Sequence, residues 1–121
     1  MPVRALRGAT TLDEDTPEQM LTRVKELFAA LFERNRLEPE DVISIFLTAT
    51  PDIRSAFPAT AARAFGLEDV PLLGAQELDV EGAMPRCVRV LLHVETDRPR
   101  RELKHVFLEG AVHLRPDLAG D

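Results

Sequence analysis

From Cys87 to Glu95 the chain alternates residue by residue. Val88, Val90, Leu92 and Val94 fall on one face of an extended strand, and Cys87, Arg89, Leu91 and His93 fall on the other. A strand with a continuous apolar stripe belongs inside a sheet that something covers. Arg89 points away from that stripe, so the second face carries a cation among apolar neighbours.

The rest of the chain supplies the cover. Thr16-Pro17-Glu18-Gln19 combines an N-cap residue, a proline at the first helical position and a glutamine three residues after the cap, which predicts a helix start. Met20, Val24, Leu27, Phe28 and Leu31 then recur on one helical face, and the helix ends near Asn35. A second, shorter helix is predicted from Pro58 through Ala64, with Gly66 as its stop. Val42 to Thr48 is apolar and β-branched and reads as a buried strand. Val3 to Ala9 reads as a short strand broken at Gly8, with Thr10, Thr11 and Asp13 to Asp15 as a polar loop. Val70 to Leu73 suits a small edge strand followed by a turn at Gly74 to Glu77, and Lys104 to Leu108 a last strand. Leu114-Arg115-Pro116-Asp117 reads as a proline-limited turn.

The order β, α, β, α, β, β, β predicts an α+β fold, a mixed β-sheet with two helices that can cover one face only. The other face, with Leu91 and His93 beside Arg89, is expected to be hidden by self-association. At 121 residues the chain is the size of a single domain, 1–121. Apolar residues make up 45% of it and no apolar run is long enough to span a bilayer, so no membrane role is expected. The N-terminus does not read as a secretory signal, which points to a cytoplasmic location.

Cys87 is the single cysteine, so an intrachain disulfide is excluded, and His93, His105 and His113 lack metal-ligand spacing; no metal is expected. With 21 acidic against 15 basic residues, scattered cations and no Trp or Tyr, no nucleic-acid partner is expected. The short basic run Arg98-Pro99-Arg100-Arg101 reads as a solvated turn. Nucleophile elbow, Cys/His dyad and glycine-rich phosphate loop are all missing from the sequence. What remains are four arginines, Arg7, Arg63, Arg89 and Arg115, isolated in ordered segments of a chain with net charge −6. A half-buried guanidinium needs a partner, and a small anion would serve.

These arginines and their neighbours carry a resemblance. Arg7-Gly8-Ala9-Thr10-Thr11, Thr50-Pro51-Asp52, Ala56-Phe57-Pro58-Ala59, Cys87-Val88-Arg89-Val90, His105-Val106-Phe107-Leu108 and Leu114-Arg115-Pro116-Asp117-Leu118 resemble the small monofunctional chorismate mutases of the AroH class, almost from end to end. The resemblance implies a cofactor-free isomerase that rearranges chorismate to prephenate in aromatic amino acid biosynthesis. It also implies a homotrimer, a pseudo-α/β-barrel with the helices outside and clefts between subunits.

By the same resemblance Arg89 is the central catalytic group beside the ether oxygen, Arg7 holds a substrate carboxylate, and Glu77 accepts from the ring hydroxyl and opposes positive charge on the ring. Phe57, Ala59, Thr60 and Arg63 form a cleft wall, Leu73, Gly74 and Phe107 line the cleft, and Leu114 with Arg115 folds over it. Read without the resemblance, Arg89 is a surface-strand arginine in an ion pair, Arg63 lies on an exposed helix face, Glu77 is a solvated loop carboxylate, Phe57 is core and Cys87 is a small core residue; Arg4 is the better candidate for a strand-end salt bridge than Arg7. The chain departs from the family where Phe107 replaces a common tyrosine, Gly74 a frequent cysteine and Thr60 a frequent lysine. Those losses predict weaker substrate binding with the reaction retained. The competing reading is a YjgF-like trimeric deaminase or small-anion binding module, against which Glu77 beside Arg7 and Arg89 discriminates.

Overall fold

A computed structural model gives the structure of the protein and describes residues 2–114. Arg115 and the rest of the expected C-terminal turn lie outside the described residues. Strand β1 (Val3–Thr11) is followed by helix α1 (Pro17–Asn35), β2 (Val42–Ala49), α2 (Pro58–Phe65), β3 (Leu72–Gln76), β4 (Cys87–Glu95) and β5 (Val106–Phe107). Among the described residues the sheet has five strands in the order β3-β2-β4-β1-β5. β4 runs antiparallel to both β1 and β2, while β2–β3 and β1–β5 are parallel pairs. This is the mixed α+β sheet the sequence predicts.

The two helices cover one face. Leu6, Ile45, Leu47, Val88, Val90, Leu92 and Val94 meet Met20, Val24, Leu27, Phe28 and Leu31 of α1 and Ala61 and Ala62 of α2, all buried. Burying one such Leu or Phe contributes about 1.5–3 kcal/mol, so the stripe on β4 and the face of α1 define each other. Thr16 caps α1 by accepting from the Gln19 N–H at 3.2 Å, with Pro17 at the first position. The Gln19 side chain does not close a capping box; its Oε1 accepts instead from the N–H groups of Asp13 and Glu14. Gly66 ends α2 in a left-handed conformation, φ 118°, which costs glycine little.

Three local readings are corrected. Gly8 does not break β1, which runs through to Thr11. A Cβ on Gly8 would lie 3.0 Å from Leu31 Cδ1 and from Val90 Cγ1, so the glycine lets α1 press on the sheet. Thr10 and Thr11 are therefore buried strand residues rather than loop. The edge strand is displaced: Gly74 to Gln76 pair with β2 instead of turning, because Leu47, Thr48 and Ala49 offer them a parallel ladder. The last strand shrinks to Val106–Phe107, since Lys104 is drawn onto the end of α1. Buried Asn35 donates to Lys104 O at 2.8 Å and accepts from Lys104 N at 2.7 Å.

The open face is treated differently at its two ends. Towards β5, Ala9, Cys87, Phe107 and Ala111 form a small buried cluster under the 3-10 turn Glu109–His113. Towards β3, Phe46 (43% exposed), Leu73 (62%) and the half-buried Leu91 and His93 remain uncovered. β2 is thus not buried on both sides; Phe46 and Thr48 look out while Ile45 and Leu47 look in.

Candidate active site

Strand register decides which side chains meet. On the open face, β4 places Arg89 opposite Ala9 of β1 and opposite Thr48 of β2, and β3 places Ala75 opposite Thr48. Leu91 sits one row along, opposite Arg7 and Phe46. Paired residues share a face, so Arg7, Arg89 and Thr48 lie on one surface. Glu77 joins them because its N–H bonds Ala49 O at 2.9 Å, continuing the β3 ladder one residue past Gln76.

Arg89 Nε lies 3.6 Å from Glu77 Oε2, with both side chains about three-quarters buried. That distance makes an ion pair and no hydrogen bond, and Arg89 Nε is buried without a hydrogen-bond partner among the described residues. Glu77 Oε2 instead accepts from Thr48 Oγ1 at 2.8 Å. The Arg7 guanidinium carbon lies 5.8 Å from the centre of the Phe107 ring, within cation–π range, and its backbone N–H donates to His105 Nδ1 at 2.9 Å. Arg7, Arg89, Glu77 and Phe107 are thereby brought to one side of the sheet. Arg4, the better candidate for a strand-end salt bridge, forms no ion pair among the described residues; its guanidinium donates to the Val3 carbonyl at 3.4 Å, and its Nε is buried without a hydrogen-bond partner there.

The other expected site residues gather elsewhere. Phe57, Ala59, Arg63 and Gly74 line a cleft of about 610 Å³ between the start of α2 and the β2–β3 edge, with Arg54, Ser55 and Gln76. Gly74 pairs with the inward-facing Leu47, so this cleft opens from the helix side of the sheet. Leu73 points the opposite way, onto the open face. Phe57 is 79% exposed and is not core. Thr60 and Arg63 are exposed on α2, and Leu114 packs beside the Phe107 cluster. One chain therefore presents the expected residues as two groups, a charged group on the open face and a cleft wall at its edge.

Asp15 holds the cleft wall. Its Oδ2 accepts from Arg54 N at 2.9 Å, and its Oδ1 accepts from Ser55 N at 3.2 Å and Ser55 Oγ at 2.7 Å. The Ser55 hydroxyl, then the Arg54 N–H, hold the Asp15 carboxyl below its ordinary range. Cys87 lies two residues before Arg89, and burial pushes its thiol up against the opposing hydrogen bond and charge of Arg89. A thiol so placed stays protonated near neutral pH and is a poor nucleophile.

Sequence reasoning missed Thr48, Asp15 and His105. Thr48 carried a signal, since it and Ser44 are the two hydroxyls on the outward side of β2 and Thr48 is the one placed opposite Arg89. Asp15 meets partners about 40 positions away and gives no local sign. Among the described residues no group of three His, Cys, Asp or Glu is placed to hold a metal ion, and no helix is long and apolar enough to cross a membrane.

The chain matches a family model described as chorismate mutase type I over residues 3–118. It is 45% identical to the chorismate mutase AroH of Bacillus subtilis (strain 168), over 98% of this chain and 94% of that one. It is 46% identical to the chorismate mutase AroH of Thermus thermophilus, over 96% of each. Its structure is similar to that of a chorismate mutase from Clostridium thermocellum, with a TM-score of 0.87 and 42% identity, covering 89% of this chain and 96% of that one.

Proposed function

From the premise that the chain belongs to the chorismate mutase type I family, we infer that it is an isomerase converting chorismate to prephenate. The observation that carries the site assignment is Arg89 held beside Glu77 on the open sheet face, with the Arg89 Nε in no hydrogen bond among the described residues.

The rearrangement is unimolecular: a carbon–carbon bond forms as the ether carbon–oxygen bond breaks, and no proton or outside electron takes part. A protein accelerates such a reaction by selecting the reactive conformer and by stabilising charge that grows in the transition state. Arg89 supplies a cation at the ether oxygen, which gains negative charge as its bond lengthens. Glu77 faces the ring, which becomes more positive, and accepts from its hydroxyl. Arg7 holds a carboxylate, with Phe107 filling the space beneath its guanidinium. A fixed ion in a site closed to water acts without reorganising, which makes it worth more than the same ion in solution.

We read residues 1–121 as one catalytic domain and its site as shared between copies. Phe57, Ala59, Thr60, Arg63 and Gly74 of one copy would close over Arg7, Arg89, Glu77, Leu73 and Phe107 of the next. Two facts support this: the two groups lie on different sides of the sheet within one chain, and Phe46, Leu73, Leu91 and His93 remain uncovered beside the charged group. Three copies arranged about an axis follow from the family resemblance. The expected mass in solution is three times the 13.5 kDa chain.

The test is direct. Purified protein, without metal or cofactor, is expected to remove chorismate absorbance and yield a product that acid converts to phenylpyruvate. A folded oligomer that leaves chorismate untouched contradicts the reading. The absence of Trp and Tyr keeps the protein background low in that assay.

A further inference from the structure

We propose that Thr48 is a positioning residue for Glu77, holding its carboxylate away from Arg89 so that both charges remain available to the substrate. The proposal rests on the chorismate mutase reading and refines its site.

A free carboxylate beside a guanidinium closes to a forked, charge-assisted pair at about 2.7–2.9 Å. In such a pair the two ions are neutralised by each other. Here Glu77 stops short: Oε2 stands 3.6 Å from Arg89 Nε, and that Nε, though buried, has no hydrogen bond among the described residues. The competing contact is the Thr48 hydroxyl, which donates to the same Oε2 at 2.8 Å.

The fold makes that contact inevitable in register. β2 lies between β3 and β4, with Thr48 opposite Arg89 on one side and opposite Ala75 on the other. Glu77 follows Ala75 by two residues, so its side chain returns to the same face, and its N–H is tied to Ala49 O, the residue after Thr48. β2 therefore holds both the backbone and one carboxylate oxygen of Glu77. The other oxygen, Oε1, accepts one weak hydrogen bond among the described residues, from the Leu78 N–H at 3.4 Å, and is the one left for a substrate hydroxyl. A hydroxyl suits this task because it orients an anion without cancelling its charge. Threonine does so with a β-branched side chain that restricts χ1 and fits a strand.

The experiment measures chorismate kinetics for the full-length oligomer carrying Thr48→Val, Thr48→Ser, Glu77→Gln and the Thr48→Val/Glu77→Gln pair. Valine keeps the shape and removes the donor, and a hydrogen bond to a charged group is worth roughly tenfold or more. The prediction is a kcat lowered on the order of tenfold with KM changed less than about threefold, rescued by serine, and little further loss when Thr48→Val is added to Glu77→Gln. Thr48→Ala lacks the same donor and reads the same loss if the valine variant does not assemble. An unchanged kcat in the valine variant overturns the proposal. So does a loss that serine fails to restore, or one that persists in full on the Glu77→Gln background, since either would make Thr48 a packing residue. A wild-type protein inactive on chorismate overturns the function itself, and this proposal with it, and is told apart because it appears before any substitution is made.

Discussion

Arg89 and Glu77 reach each other across an intervening strand: Arg89 stands on β4, Glu77 follows β3, and β2 runs between them, yet Nε and Oε2 are 3.6 Å apart. Neighbouring strands are spaced at about 4.8 Å, so only two long side chains on the same face can make that span. The pair thus reports the register of three strands at once, and the charges it places are those that an ether cleavage with charge separation would use.

Phe107→Tyr is expected to tighten substrate binding. The ring is buried, with the Arg7 guanidinium carbon 5.8 Å from its centre, so a phenolic O–H would be carried towards the carboxylate proposed to bind at Arg7. KM should fall several-fold, about 1 kcal/mol for one added hydrogen bond, while kcat changes little. An unchanged or higher KM would mean that other groups already satisfy that carboxylate.

Asp15→Asn should loosen the wall that carries Phe57. The native carboxylate accepts three hydrogen bonds from Arg54 and Ser55, and its lowered pKa fixes the sign of the pH dependence. The contribution to stability is fully present above the ordinary aspartate value of 3.8 and is lost as pH falls through the lower folded-state value. The anchor is solvent-exposed, so its effect on global stability is small and the sharper readout is KM, expected to rise in the asparagine variant at neutral pH. Equal KM values would detach Asp15 from the cleft.

Gly8→Ala should destabilise the protein by about 1–3 kcal/mol, because the added methyl meets Leu31 Cδ1 and Val90 Cγ1 at 3.0 Å in a packed layer. Urea unfolding checks this, with a lowered midpoint and an unaltered slope as the expected result.

Cys87 should resist alkylation in the native protein near pH 7 and react readily once unfolded. Burial both shields the thiol and raises its pKa, so native labelling should speed up as pH rises. Fast labelling at pH 7 would contradict the buried, protonated thiol.

Much of this arrangement is legible in the chain. The alternation of β4 gives the inward stripe and the outward Arg89 correctly, and Thr16 with Pro17 fixes the start of α1, because both signals are local. Gly8 misleads because a glycine that ends a strand and one that admits a neighbouring helix look alike until Leu31 is in place. β3 slips because its residues carry little pattern of their own and take their register from β2. Arg98 is a similar case: the basic run reads as a solvated turn, yet its guanidinium donates to Asn35 O at 2.7 Å and helps fasten the end of α1. The site residues are legible only through the family resemblance, since no spacing rule joins Arg7, Glu77 and Arg89.

The most direct test of the account is the rate of chorismate rearrangement by Arg89→Ala beside the unaltered protein, with the oligomeric mass of both measured in the same buffer. Loss of one such stabilising donor costs on the order of 3 kcal/mol or more in the barrier, a fall of about 10²–10³ in kcat. The account predicts that fall in an oligomer of unchanged mass. An Arg89→Ala oligomer that turns chorismate over at the unaltered rate would contradict it.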